Sequence, residues 1–203
     1  MLDDAGRIDS RLATMKRRPA GPVWVFGYGS LIWNPGFAPM ESRHALLEGY
    51  RRAFCFWTMV ARGTPERPGL GLALEARAGA ICRGIALKID PATEAQDLER
   101  LWGREMYSGV YRPVWVTLAP TATTHGAAET VPFTALTFVA DTDHPQYCPP
   151  LSAAQKARII AGAAGKFGPC ADYLENVVTH LAEAGEPDAE LEALLEKVRR
   201  IGG

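Results

Sequence analysis

Strands grouped early and helices grouped late predict an α+β fold, with the strands curling into a small β-barrel that the helices cover. Two observations carry this. Between residues 22 and 140, runs rich in β-branched and aromatic residues alternate with Gly, Pro and Asn turn signals. Beyond residue 147 the apolar residues instead recur with the 3.6-residue period of a helix.

In chain order, residues 1–20 are charged throughout and end in Arg18, Pro19 and Ala20, which predicts a flexible arm ahead of a single domain over 21–203. Strands are expected at 22–28, from about 47 to 58, at 70–75 and at 80–89, broken at Asn34-Pro35-Gly36 and from Pro65 to Gly69. Asp90 offers a helix N-cap with Pro91 at the first helical position. Leu98, Leu101 and Trp102 then share one face, so a helix leads to Glu105 and Gly109 ends it. Two more strands follow at 111–119 and 131–140, around a small polar loop at 120–130. Ser152 and Gln155 form a capping box; Leu174, Val177, Val178 and Leu181 share one helical face, and Leu191, Leu194, Leu195 and Val198 another.

Bulk properties exclude several classes of function. The hydrophobic fraction of 47% and charged fraction of 22% are those of a globular chain, which argues against disorder. A net charge of −1 gives no electrostatic case for nucleic acid or an anionic membrane surface, and the clusters Lys16-Arg17-Arg18 and Arg51-Arg52 are short. Cys55, Cys82, Cys148 and Cys170 are too far apart for a C-x-x-C motif, and His44, His125, His144 and His180 lack ligand spacing. We expect four reduced cysteines and no metal. No apolar run approaches the roughly 18 residues of a membrane span, and the polar N-terminus does not read as a secretion signal. The expectation is a cytoplasmic chain, monomeric, with a small-molecule ligand.

The most informative stretch is VWVFGYGSLIW at 23–33, an apolar strand running into a turn with Gly27 and Gly29 beside Ser30. At positive φ those glycines would present N–H groups inward as a nest for a carboxylate or a developing oxyanion. A dinucleotide fingerprint needs a third glycine and an opening helix, whereas Trp33, Asn34, Pro35 and Gly36 follow. A nucleophile elbow needs glycines two before and two after its serine, where this chain has Tyr28 and Ile32. A plain tight turn and a ligand loop both stay open.

Six segments in order, WVFGYGSLIWNPGF (24–37), GYRRAFCFW (49–57), CRGIAL (82–87), LWGREMYSGVYRPVWV (101–116), FVADTDHPQY (138–147) and DYLENVVTHLAE (172–183), resemble the gamma-glutamylcyclotransferases, most closely their ChaC-like branch. The resemblance covers residues 23 to 195 and implies a small mixed β-barrel flanked by helices. It also implies a reaction without water, metal or cofactor. The substrate's own α-amine attacks its γ-carbonyl, releasing 5-oxoproline and, for glutathione, Cys-Gly. Glu105 matches the family's general acid/base; Val25, Phe26, Gly27, Tyr28, Gly29, Ser30 and Leu31 match the loop that receives the γ-glutamyl moiety; Tyr147, with Tyr111 as a weaker candidate, matches the pocket lining. Cys148-Pro149-Pro150 departs from the family pattern after HPQY, which bears on the shape of the pocket wall.

The residue types suit that chemistry. A protonated amine is not nucleophilic, so a base must remove a proton before the ring closes, and a free Glu with a pKa of about 4.3 is ionised at neutral pH. Ser30 reads as a donor or turn-former, because cyclisation brings its own nucleophile. On the residues alone Glu105 reads sooner as a surface carboxylate, Tyr147 equally as a half-buried aromatic, and Arg52 sooner as a structural or solvent-facing arginine than as a partner for a substrate carboxylate. The leading expectation is a glutathione-directed cyclotransferase; the alternatives are one acting on other γ-glutamyl amino acids or amines, and a non-catalytic regulatory binding protein of the same fold.

Overall fold

The computed structural model describes residues 2–121 and 131–202, so most of the polar loop expected at 120–130 lies outside the described residues. In chain order the elements are α1 (Asp4–Lys16), β1 (Trp24–Gly27), β2 (Glu41–Thr58), β3 (Gly69–Lys88), α2 (Glu94–Glu105), β4 (Tyr111–Pro120), β5 (Phe133–Ala140), α3 (Ala153–Gly162), the short strands β6 (Ala164–Gly165) and β7 (Gly168–Pro169), α4 (Cys170–Glu183) and α5 (Ala189–Gly202). Strands β1 to β5 form a closed barrel in the order β1-β3-β2-β4-β5. The chain divides into two compact units, Met1–Arg52 with Leu74–Asp141, and Ala53–Ala73 with Thr142–Gly203.

In the first unit β1 runs antiparallel to β3 from Trp24↔Lys88 to Gly27↔Ile85. It also lies parallel to β5 at Val25↔Leu136. β4 and β5 form a long antiparallel pair from Tyr111↔Ala140 to Leu118↔Phe133. β3 is one strand where the pattern predicted two runs. Its middle, Ala76 to Gly79, is exposed and carries no apolar signal, and Gly79 at φ +75° lets the backbone kink and continue as in a bulge. β2 likewise begins earlier than expected, at Glu41, and passes a positive-φ glycine, Gly49.

Helix α2 starts at Glu94, because Asp90 makes a turn instead of a cap: its Oδ1 accepts the Ala92 N–H at 2.9 Å and its carbonyl the Thr93 N–H at 3.1 Å. Pro91 sits in that turn and not at the first helical position. Leu98, Leu101 and Trp102 are buried as their spacing required, in a core shared with Val23, Val25, Leu31, Ile89, Met106, Leu136 and Phe138. The Trp102 ring meets Phe138 edge-on with centroids 5.5 Å apart.

Residues 1–20, expected as a flexible arm, contain a formed helix. Asp3 caps α1 by accepting the Gly6 N–H at 2.8 Å. The helix docks through polar contacts: Trp102 Nε1 donates to Ser10 Oγ at 3.2 Å, and Trp115 Nε1 donates to the Thr14 carbonyl at 3.0 Å. Met15 packs against the core, but Ile8 and Leu12 face outward, so the apolar spacing did not reveal how the helix docks.

The second unit is mainly helical. Both arms of the Ser152–Gln155 capping box are present on α3. Leu174, Val177 and Leu181 of α4 and Leu191, Leu194, Leu195 and Val198 of α5 are buried as predicted, while Val178 is only partly covered. Phe54 meets Tyr173 edge-on at 5.9 Å between centroids. A Cβ at Gly71 would fall inside the Phe56 ring, so only glycine fits there.

Candidate functional site

The site grows from the end of α2 and the turn that follows β1. Trp102 is fixed by Ser10 and Phe138, and Glu105 lies three residues on, in the last turn of the same helix. Its side chain keeps only 13% of its surface exposed. Burial raises its pKa above the ordinary carboxylate value, and the neighbouring Arg104 guanidinium partly opposes that shift. The outcome is a carboxyl more basic than a surface Glu, suited to taking up a proton and returning it.

The turn after β1 closes with Ile32 N–H donating to the Gly29 carbonyl and Asn34 N–H to the Ser30 carbonyl, each at 2.9 Å. Among the described residues, no hydrogen bond is donated by the N–H groups of Gly29, Ser30 or Leu31. Three successive free N–H groups are an anion-binding feature. Neither Gly27 nor Gly29 has positive φ, contrary to expectation. Gly27 instead sits where space is tight. A Cβ there would stand 3.3 Å from the Ile32 nitrogen, and one at Gly84 on β3 would meet the Gly27 carbonyl.

Arg104, which the sequence did not single out, joins the two halves. Its Nη2 donates to Ser30 Oγ at 2.5 Å, its Nη1 to the Asn34 carbonyl, and its Nε lies 3.0 Å from Glu105 Oε1. The REM segment held the signal, a cation beside the candidate base, but i,i+1 neighbours on a helix do not ordinarily face each other. Arg52 is buried and supports the start of the turn, donating from Nε to the Tyr28 carbonyl at 2.5 Å and from Nη2 to the Arg83 carbonyl.

A model of the ChaC-like protein family matches residues 23–201. The chain belongs to that family. Among curated relatives, the glutathione-specific gamma-glutamylcyclotransferase of Escherichia coli K12 is 39% identical over 196 residues, which is 96% of this chain and 81% of that protein. Gamma-glutamylcyclotransferase 2-3 of Arabidopsis thaliana is 32% identical, over 88% of this chain and 89% of its own. A crystal structure of the yeast gamma-glutamyl cyclotransferase specific to glutathione superposes with a TM-score of 0.77 at 21% identity, covering 90% of this chain and 100% of that one. That likeness shows the fold, a gamma-glutamylcyclotransferase barrel with flanking helices, as the ChaC-like motifs led us to expect.

The other candidates of this ChaC-like chain are placed as follows. Val25, Phe26 and Leu31 are buried, with Val25 and Leu31 in the core beside Trp102, so their side chains hold the turn from behind. The Tyr28 hydroxyl donates to the Phe138 carbonyl at 2.8 Å. Tyr111, half-buried at the start of β4, packs against the same core. Tyr147 belongs to the second unit, where it forms an isolated antiparallel bridge with Phe56. No His, Cys, Asp and Glu among the described residues cluster in a way that would hold a metal ion. None of the described helices is long and apolar enough to cross a membrane.

Proposed function

We propose that this chain is a gamma-glutamylcyclotransferase that cleaves glutathione into 5-oxoproline and Cys-Gly, with Glu105 as general acid and base. The observation that carries this reading is a buried carboxyl of raised pKa tied by one arginine to a turn with three free N–H groups. The names of the relatives support the substrate.

Glu105 takes a proton from the substrate's α-ammonium group. The freed amine attacks the γ-carbonyl, forming the new C–N bond of a five-membered ring. The carbonyl oxygen becomes anionic as it does so, and free backbone donors of the turn stabilise charge of that sign, either on this oxygen or on the substrate's α-carboxylate. Protonated Glu105 then gives its proton to the departing amine of the cysteinyl-glycine part as the oxyanion collapses to the carbonyl and the old C–N bond breaks. The restored carboxylate takes the remaining extra proton from the ring nitrogen and passes it to the released amine, which leaves a neutral lactam and an ammonium group. Holding the chain bent for ring closure draws on the large effective molarity of intramolecular attack.

The test is to incubate purified protein with glutathione and, separately, with γ-glutamyl-alanine and a γ-glutamyl amine, following 5-oxoproline by mass spectrometry. Product from glutathione alone is the expected result. Product only from the other two would move the substrate, and no product from any would leave a binding protein. Glu105→Gln should fold and bind yet lose ~10²–10⁴-fold in kcat; near-normal turnover would remove Glu105 from the role.

A further inference from the structure

We propose that Arg104 is a positioning residue that sets the Glu105 carboxyl against the turn after β1, gripping turn and carboxyl with different nitrogens of one guanidinium. The inference rests on the role given to Glu105 above and extends it to a residue that has none.

The geometry argues against a casual ion pair. Adjacent helical residues diverge by about 100° around the axis, so side chains at i and i+1 do not meet unless one is bent back. The Arg104 side chain is bent back, with Nε 3.0 Å from Glu105 Oε1, and it is held so by its Nη bonds to Ser30 Oγ and to the Asn34 carbonyl. An exposed pair would be mobile and contribute little. Here the arginine side chain is 30% exposed and the glutamate 13%. Facing two hydrogen-bond acceptors and a carboxylate from three nitrogens of one plane is open to a guanidinium and not to an ammonium group.

The electrostatic consequence has a definite sign. Burial raises the Glu105 pKa and Arg104 lowers it. Arg104 is the only charged side chain among the described residues that acts on this carboxyl. Nearby arginines have other partners: Arg7 on α1 bonds Asp4, Arg11 on α1 lies 4.0 Å from Glu99, Arg100 on α2 lies 3.1 Å from Asp97, and Arg52 on β2 bonds main-chain carbonyls. Removing the Arg104 charge therefore lets the Glu105 pKa climb further. A base must be ionised to act, so the acid limb of the rate profile moves to higher pH.

The experiment compares wild type with Arg104→Met and Arg104→Lys in two readouts: 5-oxoproline release from glutathione across the acid limb, and direct titration of Glu105 by carboxyl NMR, with the resonance assigned through Glu105→Gln. Arg104→Met should move both the acid limb and the NMR midpoint to higher pH and lower kcat on the order of 10²-fold, with KM little changed. Arg104→Lys, which keeps the charge but loses the planar fork, should keep the midpoint near wild type and still turn over slowly. An unmoved midpoint in Arg104→Met, or full kcat in Arg104→Lys, overturns the proposal. The NMR titration needs no turnover, so it decides the hold of Arg104 on Glu105 even if glutathione proves not to be the substrate.

Discussion

The two ends of the turn after β1 are held by arginines in contrasting settings. Arg52 reaches the start from β2, is 6% exposed, and donates to two main-chain carbonyls, those of Tyr28 and Arg83. Arg104 reaches the far end from α2 and adds to its carbonyl and hydroxyl partners an ionisable one, Glu105. The first fixes a backbone path; the second, in the role proposed for Glu105, couples that path to a proton-transferring group. Residue type says nothing of this difference. What decides it is whether the guanidinium lies inside the sheet or at a helix terminus beside a carboxyl.

Arg52→Met should break the comparison most severely. It strips two carbonyls of a charged donor and leaves a gap, so we expect a loss of about 2–4 kcal/mol in denaturant unfolding, whereas Arg104→Met, at a side chain that is 30% exposed, should cost clearly less. Equal losses would mean that both arginines are structural. Gly84→Ala tests the start of the turn from the other side. Its methyl would press on the Gly27 carbonyl and the Phe26 ring, and a loss of about 1–3 kcal/mol is expected from the same unfolding curve.

The smallest effect is a pH-dependent one at Glu105. Its folded pKa is raised, so the folded state holds this proton more tightly than the unfolded chain. The stability this gives is fully present below the free-carboxyl value of 4.5 and is lost as pH rises through the folded value. Glu105→Gln cannot ionise and should melt slightly higher than wild type at neutral pH, with the difference closing toward acid. A lower melting temperature at neutral pH would show that the pair with Arg104 outweighs burial.

The parts of the fold that were legible share one property: the signal and the force are the same thing. Leu174, Val177 and Leu181 recur at helical spacing because burying them holds α4 in place, and Ser152 reads as a cap because its hydroxyl is one. Helix α1 was missed because Ile8 and Leu12 face outward while Ser10 and Met15 lie on its docked side, so its apolar residues do not pick out that side. Gly27 and Gly29 drew attention to the turn after β1 through a positive φ that neither adopts. Glu105 emerged only through the family motif, and Arg104 not at all, because a bond between i and i+1 depends on the tertiary partners that bend the side chain back.

Helix α1 also bears on how this molecule is cut. The match to the family model begins at residue 23, so a boundary drawn from that model alone would discard Asp4–Lys16. Those residues supply the hydrogen-bond acceptors for the indoles of Trp102 and Trp115. A chain trimmed to the matched segment would leave both indole N–H groups to find water, one of them a single helical turn from Glu105. The segment that the family model matches is thus braced by one that the model leaves out.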